Sequence, residues 1–273
     1  MCPDTVNQPV LELRDVTLRR SGRALLRNIS WRIEPGTHWA VVGPNGSGKT
    51  TLLKVLVGYE WITSGSVVVM GRRFGYTNLP DLRTHIGWMS PSLERTLRPT
   101  MTVRQIVLCG CNASLEAYPP FAEADEERAE RRIDQLELRH VTETPFHVLS
   151  HGERCRCLIA RALMVDPSIL ILDEPFAGLD MVVREEVGAQ IDRMAAMPDG
   201  PAIILVTHHV EEISGCITHA LAMRDGTVVA RGAVDEVLTP RTLSMAFGVP
   251  IRTERHNGRL YARLDGATRG LRE

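Results

Sequence analysis

The chain has 273 residues, of which 44% are hydrophobic and 24% charged, a balance that suits a globular protein with a sizeable core and room for one large domain or two small ones. A formal net charge of −1 excludes the strongly basic surface that grips nucleic acid or anionic lipid, so no direct nucleic-acid binding is expected. No apolar run approaches the roughly 18 residues a membrane helix needs, and residues 1–8 have neither the basic nor the apolar region of a signal peptide.

In chain order, residues 11–18 alternate apolar and polar side chains and read as a strand, as do residues 29–33 before the turn Glu34-Pro35-Gly36. Residues 37–42 are a largely apolar run that reads as a buried strand. The next segment, Gly43-Pro44-Asn45-Gly46-Ser47-Gly48-Lys49-Thr50, fills every fixed position of the phosphate-loop pattern G-x-x-x-x-G-K-[ST]. In such a loop backbone N–H groups surround a nucleotide's phosphates, the Lys neutralises charge and the Ser/Thr hydroxyl holds Mg²⁺. Residues 50–57, with Thr51 in the first turn, read as a helix that Gly58 stops. Strand, glycine loop and helix N-terminus together make an anion site.

Residues 65–71 read as another strand, and residues 100–165 as mostly helical. Thr102 opens one helix toward Leu108, and residues 122–138 carry a charge run around Ile133 and Leu136, the mark of a solvated helix face. Alternation of strand and helix then returns: strand 168–172, helix 181–197 ended by Pro198, strand 202–206, short helix 210–214 and strand 218–223. Arg224-Asp225-Gly226-Thr227 reads as a hairpin turn into a strand at 228–230. This order predicts a parallel sheet covered on both faces. Beyond Pro240 a short helix and a strand over 259–264 are expected. The six cysteines (Cys2, Cys109, Cys111, Cys155, Cys157 and Cys216) include no C-x-x-C, and reduced, mostly buried thiols are expected. His208-His209 are adjacent in sequence and do not share a helix face, which argues against a metal site there.

A phosphate loop alone leaves kinases, GTPases and ATPases open. Ile169-Leu170-Ile171-Leu172-Asp173-Glu174 narrows the choice, being an apolar strand that ends in two carboxylates. The first acid of such a strand holds Mg²⁺, directly or through water, and the second polarises the attacking water and accepts its proton. Leu149-Ser150-His151-Gly152-Glu153 places Ser150 and Gly152 at a helix N-terminus, a second anion site. Asp180 closes Ala177-Gly178-Leu179-Asp180, and His208 follows the strand ending in Thr207, at the carboxyl edge where α/β ligands bind.

With these segments in this order the chain resembles the nucleotide-binding subunit of an ABC transporter over about residues 10–240. Residues 43–50 match Walker A, 170–174 Walker B with its catalytic Glu, 149–153 the LSGGQ signature, 177–180 the D-loop and Thr207-His208 the H-loop. Gly36-Thr37-His38-Trp39-Ala40, Gly87-Trp88-Met89-Ser90-Pro91 and Val107-Leu108-Cys109-Gly110 add a finer resemblance to the cytosolic ABC proteins grouped with the molybdate-uptake ATPases. The resemblance implies an α/β fold, a P-loop NTPase core of ABC type with an antiparallel β subdomain and a helical subdomain. The ABC domain would span residues 1–240, with the helical subdomain at about 90–165 and a C-terminal extension at 241–273. It also implies a cytoplasmic protein at the inner face of the membrane that binds ATP and Mg²⁺. Two copies would close around ATP, each phosphate loop facing the partner's signature segment, to drive a separately encoded permease. Lys49, Glu174 and His208 would then be catalytic, Thr50 and Asp173 would hold the metal, and residues 43–51, Arg20, Ser150, Gly152 and Asp180 would contact nucleotide.

Four positions depart from the family pattern. The signature's first Gly is His151 and its Gln is Glu153. The Q-loop glutamine, which touches Mg²⁺ and couples the site to the permease, falls near Pro91, where Ser90 and Ser92 are the available hydroxyls. The aromatic that stacks on adenine falls near Arg20, whose guanidinium can also stack on a base. The altered signature and missing glutamine keep open an ABC-type ATPase that works without a permease, in regulation or repair. A regulator that barely hydrolyses is disfavoured by the intact Asp173-Glu174 pair.

Overall fold

The computed structural model describes residues 8–113 and 120–265. In chain order its elements are β1 (Leu11–Arg20), β2 (Arg23–Ile33), β3 (Trp39–Val42), α1 (Lys49–Leu56), β4 (Ser64–Val69), β5 (Arg72–Arg73), α2 (Leu79–Arg83), β6 (Ile86–Met89), α3 (Val103–Cys109) and α4 (Glu123–Gln135). There follow α5 (His151–Ala162), β7 (Ile169–Asp173), α6 (Met181–Ala195), β8 (Ala202–Thr207), β9 (His219–Arg224), β10 (Thr227–Ala233), α7 (Val234–Val237), α8 (Pro240–Phe247), β11 (Ile251–His256) and β12 (Arg259–Leu264). They fall into two compact units, residues 1–77 with 205–273 and residues 78–204.

In the first unit β1 is the centre of an antiparallel sheet of order β2-β1-β4-β5. Leu11, Leu13, Val16 and Leu18 of β1 are buried and stand opposite Ile33, Trp31, Ile29 and Leu26 of β2, so the alternation in sequence becomes one packed face. β2 begins at Arg23, well before the strand expected at residues 29–33, because Ser21 and Gly22 turn the chain directly back on β1 with positive φ values of 49° and 78°. In β3 every residue is buried, and it pairs in parallel with β9 from Trp39–His219 to Val42–Ala222. Continuous apolar strands of this kind are covered on both faces. β9 returns as β10 through Asp225 and Gly226, both with positive φ, at the hairpin expected there. The region expected to be a short helix at residues 210–214 is a single 3-10 turn, Val210–Glu212. Beyond α8, the strand expected at 259–264 is β12, and β11 pairs antiparallel with it.

In the second unit β6 and β7 pair in parallel, from Ile86–Ile169 to Met89–Leu172. A Cβ at Gly87 would lie 2.6 Å from the Ala162 carbonyl oxygen, so glycine is what lets the end of α5 approach β6. The stretch expected to be helical over 100–165 is broken into α3, α4 and α5 with 3-10 turns between them. Thr102 opens α3, as the sequence suggests, and caps it in a capping box with Gln105. α4 buries only Ala129 and Ile133, and its acids and arginines form the solvated face. Helix α6 ends at Ala195, short of the expected Met197, and the chain turns over residues 196–199 before β8. Cys109, Cys155 and Cys157 are buried and Cys111 is partly buried, while in the first unit Cys216 is partly buried. Cys2 lies outside the described residues.

Candidate nucleotide site

The phosphate loop and His208 belong to the first unit, and the two carboxylates and the signature segment to the second. Each half is built by its own local rules.

In the first unit the loop from Gly43 through Pro44, Asn45, Gly46, Ser47 and Gly48 leads β3 into α1, and Lys49, Thr50 and Thr51 make the helix's first turn. Gly43 has φ 154°, and a Cβ there would lie 2.3 Å from the Met223 carbonyl oxygen, so no other residue fits without moving β9. Gly48 caps α1 in the left-handed region, which leaves the first N–H groups of the helix without a side-chain cap. The Lys49 ammonium folds over the loop and donates to the Gly43 and Pro44 carbonyls at 2.7 and 3.1 Å. Ser47 Oγ is buried with no hydrogen-bond partner in the structure. A buried hydroxyl without a partner costs about 1–3 kcal/mol, and a phosphate oxygen would satisfy it. Arg20, at the end of β1, ion-pairs with Glu60 at 2.7 Å and keeps most of its guanidinium exposed. His208 directly follows β8, and its ring lies 4.1 Å from that of His209.

In the second unit Asp173 is the last residue of β7 and is 5% exposed. Its Oδ2 accepts a hydrogen bond from Ser90 Oγ at 3.2 Å. Glu174, next in the chain, has φ 50°, a left-handed conformation that costs a non-glycine residue about 1–2 kcal/mol. Strain of this kind concentrates at functional sites, and sequence reading gave no sign of it.

Helix α5 starts at His151 with Ser150 as its N-cap. Ser150 Oγ accepts from the Glu153 N–H at 3.3 Å and donates to Glu153 Oε2 at 2.7 Å, while the Ser150 N–H donates to the same carboxylate at 2.8 Å. The hydroxyl assigned to nucleotide is thus engaged in a capping box, of which Ser150-x-x-Glu153 is the sequence pattern. Burial pushes the Glu153 carboxyl up, but the Ser150 side-chain and backbone hydrogen bonds and His140, at 3.1 Å, outweigh it and hold the group below the usual range. Gly152 is buried, and a Cβ there would lie 2.5 Å from Val183 Cγ1. His151, at the departure from the signature pattern, turns its ring toward Gly178, where a Cβ would be 3.4 Å from His151 Cδ2. Asp180 caps α6 through Oδ1, which accepts from the Val182 and Val183 N–H groups at 2.9 and 3.0 Å.

A family model of the ABC transporter matches residues 26–177, more than half of the chain. The chain belongs to the ABC transporter family. As a member it is an ATP-binding, ATP-hydrolysing transporter subunit with the α/β fold of an ABC cassette. It is 40% identical to the ABC transporter ATP-binding protein YlmA of Bacillus subtilis over 89% of this chain and 92% of YlmA. It is 35% identical to the ABC transporter ATP-binding protein ModF of Escherichia coli over 79% of this chain and 44% of ModF. Among solved structures, the dimeric post-hydrolysis state of the ATP-binding cassette MJ0796 bound to ADP and Pi has the same fold, with a TM-score of 0.72 and 24% identity over 82% of this chain and 98% of that one. No helix among the described residues of this ABC subunit is long and apolar enough to cross a membrane.

Proposed function

We propose that this subunit works as a homodimer that closes around two ATP molecules and, through that cycle, drives a separately encoded membrane permease at the cytoplasmic face. The catalytic domain is residues 1–240 with its helical part at about 90–165, and residues 241–273 are an extension. The observation that carries the reading is the phosphate loop, an uncapped helix N-terminus with a folded-over lysine and a buried hydroxyl in want of a partner. The dimeric MJ0796 cassette supports the closed pair.

In this scheme the loop from Gly43 to Thr51, whose residues other than Pro44 each offer a backbone N–H, holds the phosphates, and Lys49 leaves the Gly43 and Pro44 carbonyls to neutralise the γ-phosphate. Thr50 and Asp173 offer the hydroxyl and carboxylate oxygens that suit a hard divalent cation, so the residues fit Mg²⁺. That ion would supply charge neutralisation at the β- and γ-phosphates. Glu174 accepts the proton of the attacking water, and His208 bonds the γ-phosphate. Arg20 stacks on the base, while Gly152, Asp180 and the Ser150 end of α5 reach the partner's nucleotide. For Ser150 to donate to phosphate, its bond to Glu153 must open first.

The test is Glu174→Gln, tagged and recovered from native membranes with ATP and Mg²⁺. Recovery of a closed dimer with one polytopic membrane protein supports the full reading. Recovery of soluble partners or of the homodimer alone replaces it with a permease-free ATPase, the alternative that the missing Q-loop glutamine favours. Independently, turnover per wild-type subunit should fall on dilution, and a flat rate would remove the dimeric site.

A further inference from the structure

Ser90 directly precedes Pro91, near which the family pattern calls for glutamine, and its surroundings give it a defined job. β6 and β7 run parallel with Met89 opposite Leu172, so one further step along each strand brings Ser90 beside Asp173. Pro91 follows, and a residue before proline is held extended. Ser90 has φ −149° and ψ 139°, which continues the strand. The residue is 2% exposed.

The direction of the hydrogen bonds follows from counting. A serine hydroxyl has one proton and two lone pairs. Ser90 Oγ gives its proton to Asp173 Oδ2 at 3.2 Å. The Ser90–Ser92 hydroxyl contact of 2.9 Å must then have Ser92 as donor, and the Ser92 N–H approaches the same oxygen at 3.4 Å. Both lone pairs of Ser90 are taken, which leaves none for a metal. The result is a directed chain from Ser92 through Ser90 to the carboxylate, in which each bond polarises the next.

We propose that Ser90 is a positioning residue: it acts through Asp173, holding one carboxylate oxygen so that the other is presented to Mg²⁺, and takes over the task of the absent glutamine without touching the ion. The proposal rests on the reading of Asp173 as a metal-site residue.

The experiment measures binding, not turnover. A fluorescent ATP analogue is titrated with and without Mg²⁺, and the Mg²⁺ midpoint is recorded for wild type, Ser90→Ala, Ser92→Ala, Asp173→Asn and Ser90→Ala/Asp173→Asn. Ser90→Ala is expected to raise the midpoint about tenfold, or about 1.4 kcal/mol, with nucleotide affinity in EDTA unchanged. Ser92→Ala, at an exposed residue that folding tolerates, is expected to raise it several-fold. In the Asp173→Asn background Ser90→Ala should add nothing.

An unchanged midpoint in Ser90→Ala, or a full effect that persists without Asp173, overturns the proposal. So does an equal loss of affinity in EDTA, which would make the residue structural. Should Ser90→Ala fail to fold, Ser92→Ala decides alone, and an unchanged midpoint there is a refutation. Asp173→Asn separates the two levels. If it leaves the Mg²⁺ midpoint untouched, the metal-site reading fails; if it moves the midpoint and the serines do not, only the role of Ser90 fails.

Discussion

Gly152→Ala is the perturbation whose outcome the packing specifies most closely. The new methyl would sit 2.5 Å from Val183 Cγ1, about 1 Å inside ordinary carbon–carbon contact. Val183 is β-branched and lies in the first turn of α6, where its χ1 has little freedom. The clash is therefore relieved by moving one helix against the other, an overpacking cost of about 1–3 kcal/mol. Removing a helical glycine returns up to about 1 kcal/mol, less near an N-terminus. A net destabilisation of about 1–2 kcal/mol is expected, a fall in melting temperature of about 2–4 °C for each kcal/mol. The assay is thermal unfolding of the four proteins of the cycle: wild type, Gly152→Ala, Val183→Ala and the double variant. Val183→Ala removes the methyl that is struck, so the double variant should be more stable than the sum of the singles by about 1 kcal/mol or more. If Gly152→Ala melts with the wild type, or if the two changes add within about 0.5 kcal/mol, the claim that α6 sets the need for glycine at the signature is refuted.

Further outcomes are expected at Glu174, Ser150, Glu153 and the two buried cysteines of α5. Glu174→Gln should bind ATP and nearly stop turning over, and Glu174→Gly should melt higher than Glu174→Ala by the equivalent of about 1 kcal/mol, because glycine accepts φ 50° without strain. Ser150→Ala should cost about 1 kcal/mol through the lost cap, read by denaturant midpoint. Glu153 has a lowered folded pKa, so its contribution to stability is complete above the unfolded value of about 4.3 and is lost as pH falls through the folded one; Glu153→Gln should flatten that acid limb. Burial pushes the Cys155 thiol up to about 12 and Cys157 higher still, so neither should react with a thiol reagent at pH 8 until the protein is unfolded, and rapid native labelling of either would contradict the packing of α5.

The parts of this subunit that were legible in its sequence are those in which one local rule dominates. The phosphate loop was readable because glycine spacing, lysine and helix start are all short-range. The helix start at Thr102 and the hairpin at Asp225-Gly226 were readable for the same reason. What escaped depends on partners distant in sequence. β6 is only four residues long, and the β7 strand that completes it lies some eighty residues on, so Ile86-Gly87-Trp88-Met89 carries no period that marks it out. β11 carries charges at Arg252, Glu254 and Arg255 and is a strand because β12 pairs with it. The left-handed backbone at Glu174 has no signature in composition at all.

The departures from the family pattern follow the same logic, and they are not independent losses. His151 replaces a signature glycine, and its ring finds room beside Gly178, which has φ 75° and no side chain. Glu153 replaces the signature glutamine and becomes the acceptor that completes the cap of α5, with His140 beside it. Ser90, next to Pro91 near which glutamine is expected, delivers a hydroxyl to Asp173, supported by Ser92. Each substitution removes a contact named by the pattern and has a new neighbour within the same unit. A residue read singly against a motif therefore looks like damage, whereas the same residue read with its partner is a different solution to one requirement, that of holding a carboxylate or a helix end in place. The requirement is what physical chemistry fixes. The side chain that meets it is free to change wherever the fold supplies a partner within about 3 Å.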